Sequence, residues 1–142
     1  MWPEKIFEGD FTQIYVRIQT VMYHTVKLFS DSGIDVVVEI VLLAPYNALK
    51  ELTSLLQNYS VLLVHVTCSI EELHRRETEC GDREHGQAES QLQYLVPQDT
   101  YDLTVDTLFS SVDDCADKII QLARCPNQWT AFKKLSMQTS VD

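Results

Sequence analysis

The chain has 142 residues, of which 45% are hydrophobic and 23% charged, and its formal net charge is −10. This length predicts one domain with a substantial core, and the composition is that of a folded rather than a disordered chain. With 21 acidic against 11 basic side chains, the protein repels polyanions at long range. We therefore expect no nucleic acid and no anionic membrane as a partner.

Signals for secretion, membrane insertion and metal binding are missing from the sequence. The first residues contain no apolar signal-peptide core, and no apolar run approaches the roughly 18 residues of a membrane-spanning helix. The four cysteines form no C-x-x-C pair, and no histidine completes a zinc-binding set. We expect a cytoplasmic protein with reduced cysteines and no metal site.

The N-terminal third changes from helical to extended periodicity. Apolar residues spaced by three and four over residues 11–29 predict an amphipathic helix, and Gly33 suits its C-terminal stop because glycine tolerates positive φ. Residues 34–43 then read IDVVVEIVLL. A nearly continuous β-branched run of this kind predicts a strand covered on both faces, as in a parallel sheet.

The middle of the chain predicts a strand–helix–strand unit. Leucines on one side of residues 47–58 indicate a helix, and the apolar run at 61–67 indicates a second buried strand. Ser69 and Glu72 form a capping-box pattern at the start of the next helix, which we expect to end near residue 79. Residues 81–86, GDREHG, predict an exposed loop.

The remaining elements complete an α/β pattern. We predict a helix over 87–95, an edge strand over 101–106 where apolar and polar residues alternate, and a helix capped by Ser111. The predicted fold is α/β with three layers, in which helices cover both faces of a mostly parallel sheet. Residues 1–125 form the domain, and residues 126–142 form a polar, loosely held C-terminal tail.

Two features are candidates for chemistry, since ligands of open α/β sheets bind at the carboxyl ends of the strands. Glu39 is a carboxylate in an apolar strand, where it must pair, meet a cation or point into a cleft. Three arginines, Arg75, Arg76 and Arg83, lie around the predicted loop, and guanidinium groups suit phosphoryl oxygens. The alternatives are a structural or rim position for Glu39 and a simple Glu72–Arg76 surface ion pair.

Other catalytic patterns are missing from the sequence. It contains no G-x-S-x-G elbow, no G-x-G-x-x-G fingerprint and no G-x-x-x-x-G-K-[ST] phosphate loop. His65 lies in a predicted buried strand, where we expect a hydrogen-bonded core residue rather than a catalytic one. From its residues alone, the chain therefore offers no phosphate cradle.

A family resemblance nevertheless emerges from the run VLLVHVTCSIEELHRRETECGDREHGQAESQ, followed by YDLTVDT and SVDDCADKI. This pattern resembles the C-terminal half of chloramphenicol phosphotransferase-like proteins, small P-loop kinases that transfer the γ-phosphate of ATP to a hydroxyl of a small molecule. The similarity covers the chain from near Met1 to about Ala123, and RRET-x-x-GDR-x-x-G-x-A is its most specific block. It implies a P-loop NTPase-like fold, ATP and Mg²⁺ as cofactors and a small-molecule substrate.

The resemblance also assigns roles to residues of the predicted loop. Arg83 matches a lid arginine that closes over the ATP phosphates, and Arg76 is a second candidate for phosphate binding. Gly81 and Gly86 would bound the mobile lid. Cys80 stands where the family often has another lid arginine, so one cationic contact is missing.

Glu39 departs from the family pattern as well. It falls at the end of the strand where the family usually has two aspartates, and here Ile40 replaces the second acid. The resemblance therefore implies a weakened magnesium-binding or nucleophile-orienting role for Glu39.

The Walker A loop of the family would precede Met1, so we expect an N-terminally truncated kinase domain. Because that loop performs most of the positioning and charge stabilisation in phosphoryl transfer, we expect no useful kinase rate and no tight ATP or Mg²⁺ binding by this chain alone. The strands at 34–43 and 61–67 would flank the missing strand in a 2-3-1-4-5 order. They either pair directly or expose edges that favour homo-oligomers.

The alternative function is a non-catalytic α/β module that binds another protein through its open sheet. A flavodoxin-like receiver or electron carrier is disfavoured. It would require acidic residues at the end of a first strand, whereas this chain begins with a predicted helix.

Overall fold

The protein is a mixed α/β structure in the computed structural model, which describes residues 11–41, 48–80, 86–93, 95 and 100–139. Helices form most of this part of the chain, and two short strands form a parallel sheet. The elements in chain order are α1 (Phe11–Asp31), α2 (Ala48–Leu56), β1 (Val64–Thr67), α3 (Ile70–Cys80), α4 (Gln87–Leu92), β2 (Leu103–Asp106), α5 (Val112–Ala123), a 3₁₀ turn (Pro126–Gln128) and α6 (Ala131–Thr139).

The two strands pair in parallel from end to end. Val64 lies opposite Leu103, and Thr67 lies opposite Asp106. Parallel neighbours need a long crossover, and here α3 and α4 lie between them in the chain. The predicted parallel character of the sheet is thus confirmed for these two strands, although both are shorter than the predicted ranges 61–67 and 101–106.

The strand predicted over residues 34–43 is not formed in its described part. Residues 34–41 have no regular secondary structure, and Val37 is fully exposed. A β-branched run becomes a strand only when a neighbour completes its backbone hydrogen bonds, and no described strand pairs with this one. Residues 42 and 43 lie outside the described residues. A three-layer fold around a larger sheet was expected, but in the described part of the chain the sheet has two strands.

The predicted helices are present with shifted ends. Gly33 takes a φ of 74° and its amide donates to the Ser30 carbonyl, which ends α1 as expected. The predicted cap of α5 is also confirmed, because Ser111 and Asp114 form a reciprocal capping box. None of the described helices is both long and apolar enough to cross a membrane.

The main core lies between α1, α2 and α6. Tyr23, Leu52, Leu56, Phe132 and Leu135 form its buried cluster. Burying a large apolar side chain contributes about 1.5–3 kcal/mol, so this cluster is a major source of stability. The loosely held tail expected after Pro126 is wrong for residues 131–139, because α6 supplies two of these five core residues.

Asp102 connects the sheet with this helical core. Its Oδ1 accepts hydrogen bonds from the amides of Thr130 (2.7 Å) and Ala131 (2.9 Å) at the start of α6, and its Oδ2 accepts one from Leu63 (3.0 Å). A carboxylate at a helix N-terminus satisfies amides that lack partners within the helix. One side chain thus ties the beginnings of both strands to α6.

Candidate functional site

The carboxyl ends of β1 and β2 meet in a hydrogen-bonded corner. Immediately after β2, the Thr107 amide donates to the Thr67 carbonyl at 2.9 Å, and the Thr107 hydroxyl donates to the same oxygen at 3.1 Å. The helix α3 begins at Ile70, shortly after β1 ends. Ligands of parallel α/β folds bind at this edge, so the corner is the place to look for functional side chains.

Arg76 connects α3 to this corner. Its Nη1 donates to the Thr107 hydroxyl at 2.9 Å and its Nη2 to the Thr107 carbonyl at 3.2 Å, while its Nε donates to Glu72 at 2.6 Å. All three nitrogens of the guanidinium therefore bind groups of the protein itself. The structure does not test whether Arg76 also binds phosphate, so this role stays a prediction.

Glu72 is held between two arginines of the same helix. Arg75 donates to it through Nε and Nη2, both at 2.7 Å, and Arg76 donates through Nε. The hydrogen bonds from Arg75 and then from Arg76 lower the pKa of Glu72 to about 2. Arg75 additionally contacts Glu79 at 2.5 Å. The Glu72–Arg76 pair considered as an alternative in the sequence is thus present, within a larger network on α3.

Glu77 is a site residue that the sequence reasoning missed. It is 5% exposed, and its two carboxylate oxygens accept hydrogen bonds from the backbone amides of Gly86 (2.9 Å) and Ala88 (2.7 Å). Its position in the helix was the one sequence feature that could have indicated its burial. It lies four residues after Leu73, on the side of α3 where an apolar residue is expected.

Gly86 has the conformation expected at the boundary of a loop. Its φ of 82° and ψ of 2° are left-handed, and it directly precedes α4. A residue with a Cβ is strained at such a φ, so glycine is the residue that this turn requires.

The other predicted site residues are not brought into this corner. Gly81 and Arg83 lie outside the described residues. Glu39 is exposed on the irregular segment 34–41 rather than at the end of a strand, and its predicted role stays a prediction. Cys80 is an exposed free thiol at the end of α3. In the described part of the chain, no group of three His, Cys, Asp or Glu side chains is arranged to hold a metal ion.

His65 is partly buried against an aromatic ring. It stacks on Tyr101 with ring centroids 4.8 Å apart and an angle of 19° between the planes. Burial lowers the pKa of His65, which favours the neutral ring. Its buried Nδ1 has no hydrogen-bond partner among the described residues, so the predicted hydrogen bond of His65 is not seen at this atom.

The described residues define the protein as a mixed α/β fold with a two-stranded parallel sheet. Arg76, paired with Glu72 and Thr107, lies near the carboxyl ends of these strands. Residues 5–124 match the family model of chloramphenicol phosphotransferase-like proteins, and the chain belongs to this family. Membership implies a P-loop NTPase-like, kinase-like phosphotransferase lineage. Searches of curated proteins and of solved structures found no match.

Proposed function

We propose that the chain is the P-loop-kinase-like part of an ATP-dependent phosphotransferase that acts on a hydroxyl of a small molecule, and that these 142 residues alone are inactive. The observation that carries the proposal is the family match over residues 5–124. The inactivity follows from the missing G-x-x-x-x-G-K-[ST] pattern, because that loop binds the phosphates in P-loop enzymes.

The proposed domain comprises residues 1–125, with residues 126–142 as an addition to it. The end of the family match at residue 124 supports this division. Structurally, the addition is more than a tail, since α6 packs into the core.

The proposed phosphate-binding residue is Arg83, in a segment bounded by Gly81 and Gly86. The RRET-x-x-GDR-x-x-G-x-A block and the left-handed Gly86 support this assignment. In the proposal, Arg76 has mainly a structural role, because its nitrogens bind Glu72 and Thr107. Glu39 would assist near Mg²⁺.

The described residues do not fit an ATP–Mg²⁺ complex on their own. The arginines of α3 are paired within the protein, and the described carboxylates form no cluster suited to a divalent ion. A complete site therefore requires groups beyond those described, the phosphate loop above all.

Calorimetry with ATP and Mg²⁺ tests the inactivity. We expect no binding in the micromolar range for the chain as it stands, and a micromolar dissociation constant would overturn this part of the proposal. The genomic sequence upstream of the Met1 codon tests the assignment independently. An in-frame phosphate-loop motif supports the enzyme, and a stop codon immediately upstream supports a non-catalytic module.

If the extended product exists, Arg83→Ala should weaken its ATP binding about tenfold or more, because one charge-assisted hydrogen bond is worth roughly 1.5–3 kcal/mol. Arg124→Ala is the matched control, since Arg124 is an exposed residue at the C-terminal end of α5. Equal effects of both substitutions would contradict the role of Arg83.

A non-catalytic interaction module is the second candidate function. The exposed β-branched segment 34–41 favours it, since Val37 is fully exposed and each described strand pairs with only one neighbour. Light scattering of the purified chain should then show concentration-dependent oligomers that Val37→Lys disrupts. Val21→Lys, on the exposed face of α1, is the control, and a monomer at all concentrations would contradict self-association through this segment.

A further inference from the structure

A buried carboxylate connects the end of α3 with the start of α4. Glu77, on α3, accepts hydrogen bonds from the backbone amides of Gly86 and Ala88. These amides lie at the start of α4, where the first N–H groups of a helix have no partner within the helix. Gly86 itself supplies no side-chain cap. A residue of the preceding helix therefore caps α4.

The chemistry of Glu77 explains why a charged residue is placed there. A buried carboxylate is strongly destabilising unless its oxygens accept hydrogen bonds, and here each oxygen accepts a backbone amide. Glu79, two residues further along α3, provides the contrast. Its side chain is 62% exposed and pairs with Arg75 on the helix surface. The same residue type thus has a connecting role at one position and a surface role at the other.

We propose that Glu77 is a positioning residue that fixes the end of α3 and the start of α4 relative to each other. By this contact it sets the separation of the two ends of the segment that carries Arg83. The importance of this contact for phosphate binding rests on the proposed function, in which Arg83 binds the phosphate. The anchoring itself rests on the two hydrogen bonds and requires no nucleotide.

Amide hydrogen exchange on the full chain tests the anchoring. In Glu77→Gln, one oxygen is replaced by an NH₂ group that cannot accept, so one of the Gly86 and Ala88 amides loses its acceptor and should exchange on the order of tenfold faster. Amides of α1 and α6 should keep their rates. Tryptic cleavage after Arg83 should also accelerate, since one end of the segment is released. The matched variant Glu79→Gln should leave both readouts unchanged.

Two further variants separate positioning from general stability. Leu135→Ala lowers stability through the helical core, so it should lower the melting temperature without changing Gly86 and Ala88 exchange under native conditions. Ala88→Pro removes a single amide donor in the first turn of α4, where proline is tolerated. Ala88→Pro should accelerate cleavage after Arg83. If Glu77→Gln does not fold, this variant tests whether the contact with Glu77 restrains the segment that carries Arg83.

The proposal is overturned if Glu77→Gln folds and leaves both readouts at wild-type values, or if Glu79→Gln changes them equally. Unchanged cleavage in Ala88→Pro would overturn it as well. None of these measurements uses ATP. They therefore decide the role of Glu77 separately from the proposed function, which the Arg83→Ala binding experiment decides.

Discussion

The helical core and the strand-end corner of this protein are stabilised by different kinds of interaction. The core of α1, α2 and α6 buries large apolar side chains such as Tyr23 and Phe132. The corner at the ends of β1 and β2, together with the adjoining helices α3 and α4, is held by polar side chains. Arg76 reaches Thr107, and Glu77 reaches the start of α4.

The two kinds of interaction control different properties, namely the stability of the fold and the position of the backbone. Apolar burial is non-directional and proportional to area, so the helical core mainly sets how stable the fold is. Charge-assisted hydrogen bonds depend on distance and angle, so the polar contacts of the corner mainly set where its backbone lies.

The largest effect expected from this comparison concerns α6. Phe132→Ala removes a ring that is 3% exposed, and it should lower the free energy of unfolding by about 3–5 kcal/mol. Phe109→Ala is the control, because Phe109 is 84% exposed and surface substitutions change stability by less than about 0.5 kcal/mol. Urea denaturation followed by circular dichroism measures both. Similar values for the two variants would show that α6 does not belong to the core.

An intermediate effect is expected at Asp102, which joins the two regions. Asp102→Asn keeps the shape but weakens the acceptors for Leu63, Thr130 and Ala131, and it should cost about 1–3 kcal/mol. Asp117→Asn, on the exposed surface of α5, should have a much smaller effect. If the two variants unfold at the same urea concentration, Asp102 does not connect the sheet to α6.

The sequence was most informative where a pattern is local. The spacing of apolar residues predicted α1, and Ser111 with Asp114 predicted the start of α5, because both signals depend on neighbours within one or two turns. The β-branched run at 34–41 was misleading for the same reason. Its composition is local, whereas strand formation requires a partner from elsewhere in the chain.

Long-range polar contacts were not visible in the sequence. Nothing near Asp102 indicates that its carboxylate caps a helix nearly thirty residues later. The spacing of Glu77 from Leu73 is consistent with a buried position, but nothing in the sequence indicates that its carboxylate binds the amides of Gly86 and Ala88. The core role of α6 was partly visible, since Ala131, Phe132 and Leu135 follow helical spacing, but the polar composition after Pro126 outweighed that signal.

The smallest expected effect concerns the charge network of α3 and is seen as a pH dependence. The folded pKa of Glu72 is about 2, below its ordinary value of 4.5. Glu72 therefore contributes stability above pH 4.5 that is lost as the pH falls towards 2. The difference in unfolding free energy between wild type and Glu72→Gln should be constant near neutral pH and should shrink over that acidic range.

Urea titrations at several pH values, at low and high salt, measure this difference. Because the ion pairs of Glu72 with Arg75 and Arg76 lie at the protein surface, high salt should reduce it. Glu39→Gln is the control, since Glu39 is exposed and makes no ion pair with the described residues. A wild-type-minus-Glu72→Gln difference that stays constant down to pH 2 would show that the arginines do not stabilise the charged form of Glu72. The other polar contacts near the corner, those of Glu77 and those between Arg76 and Thr107, would then act without support from this ion-pair network.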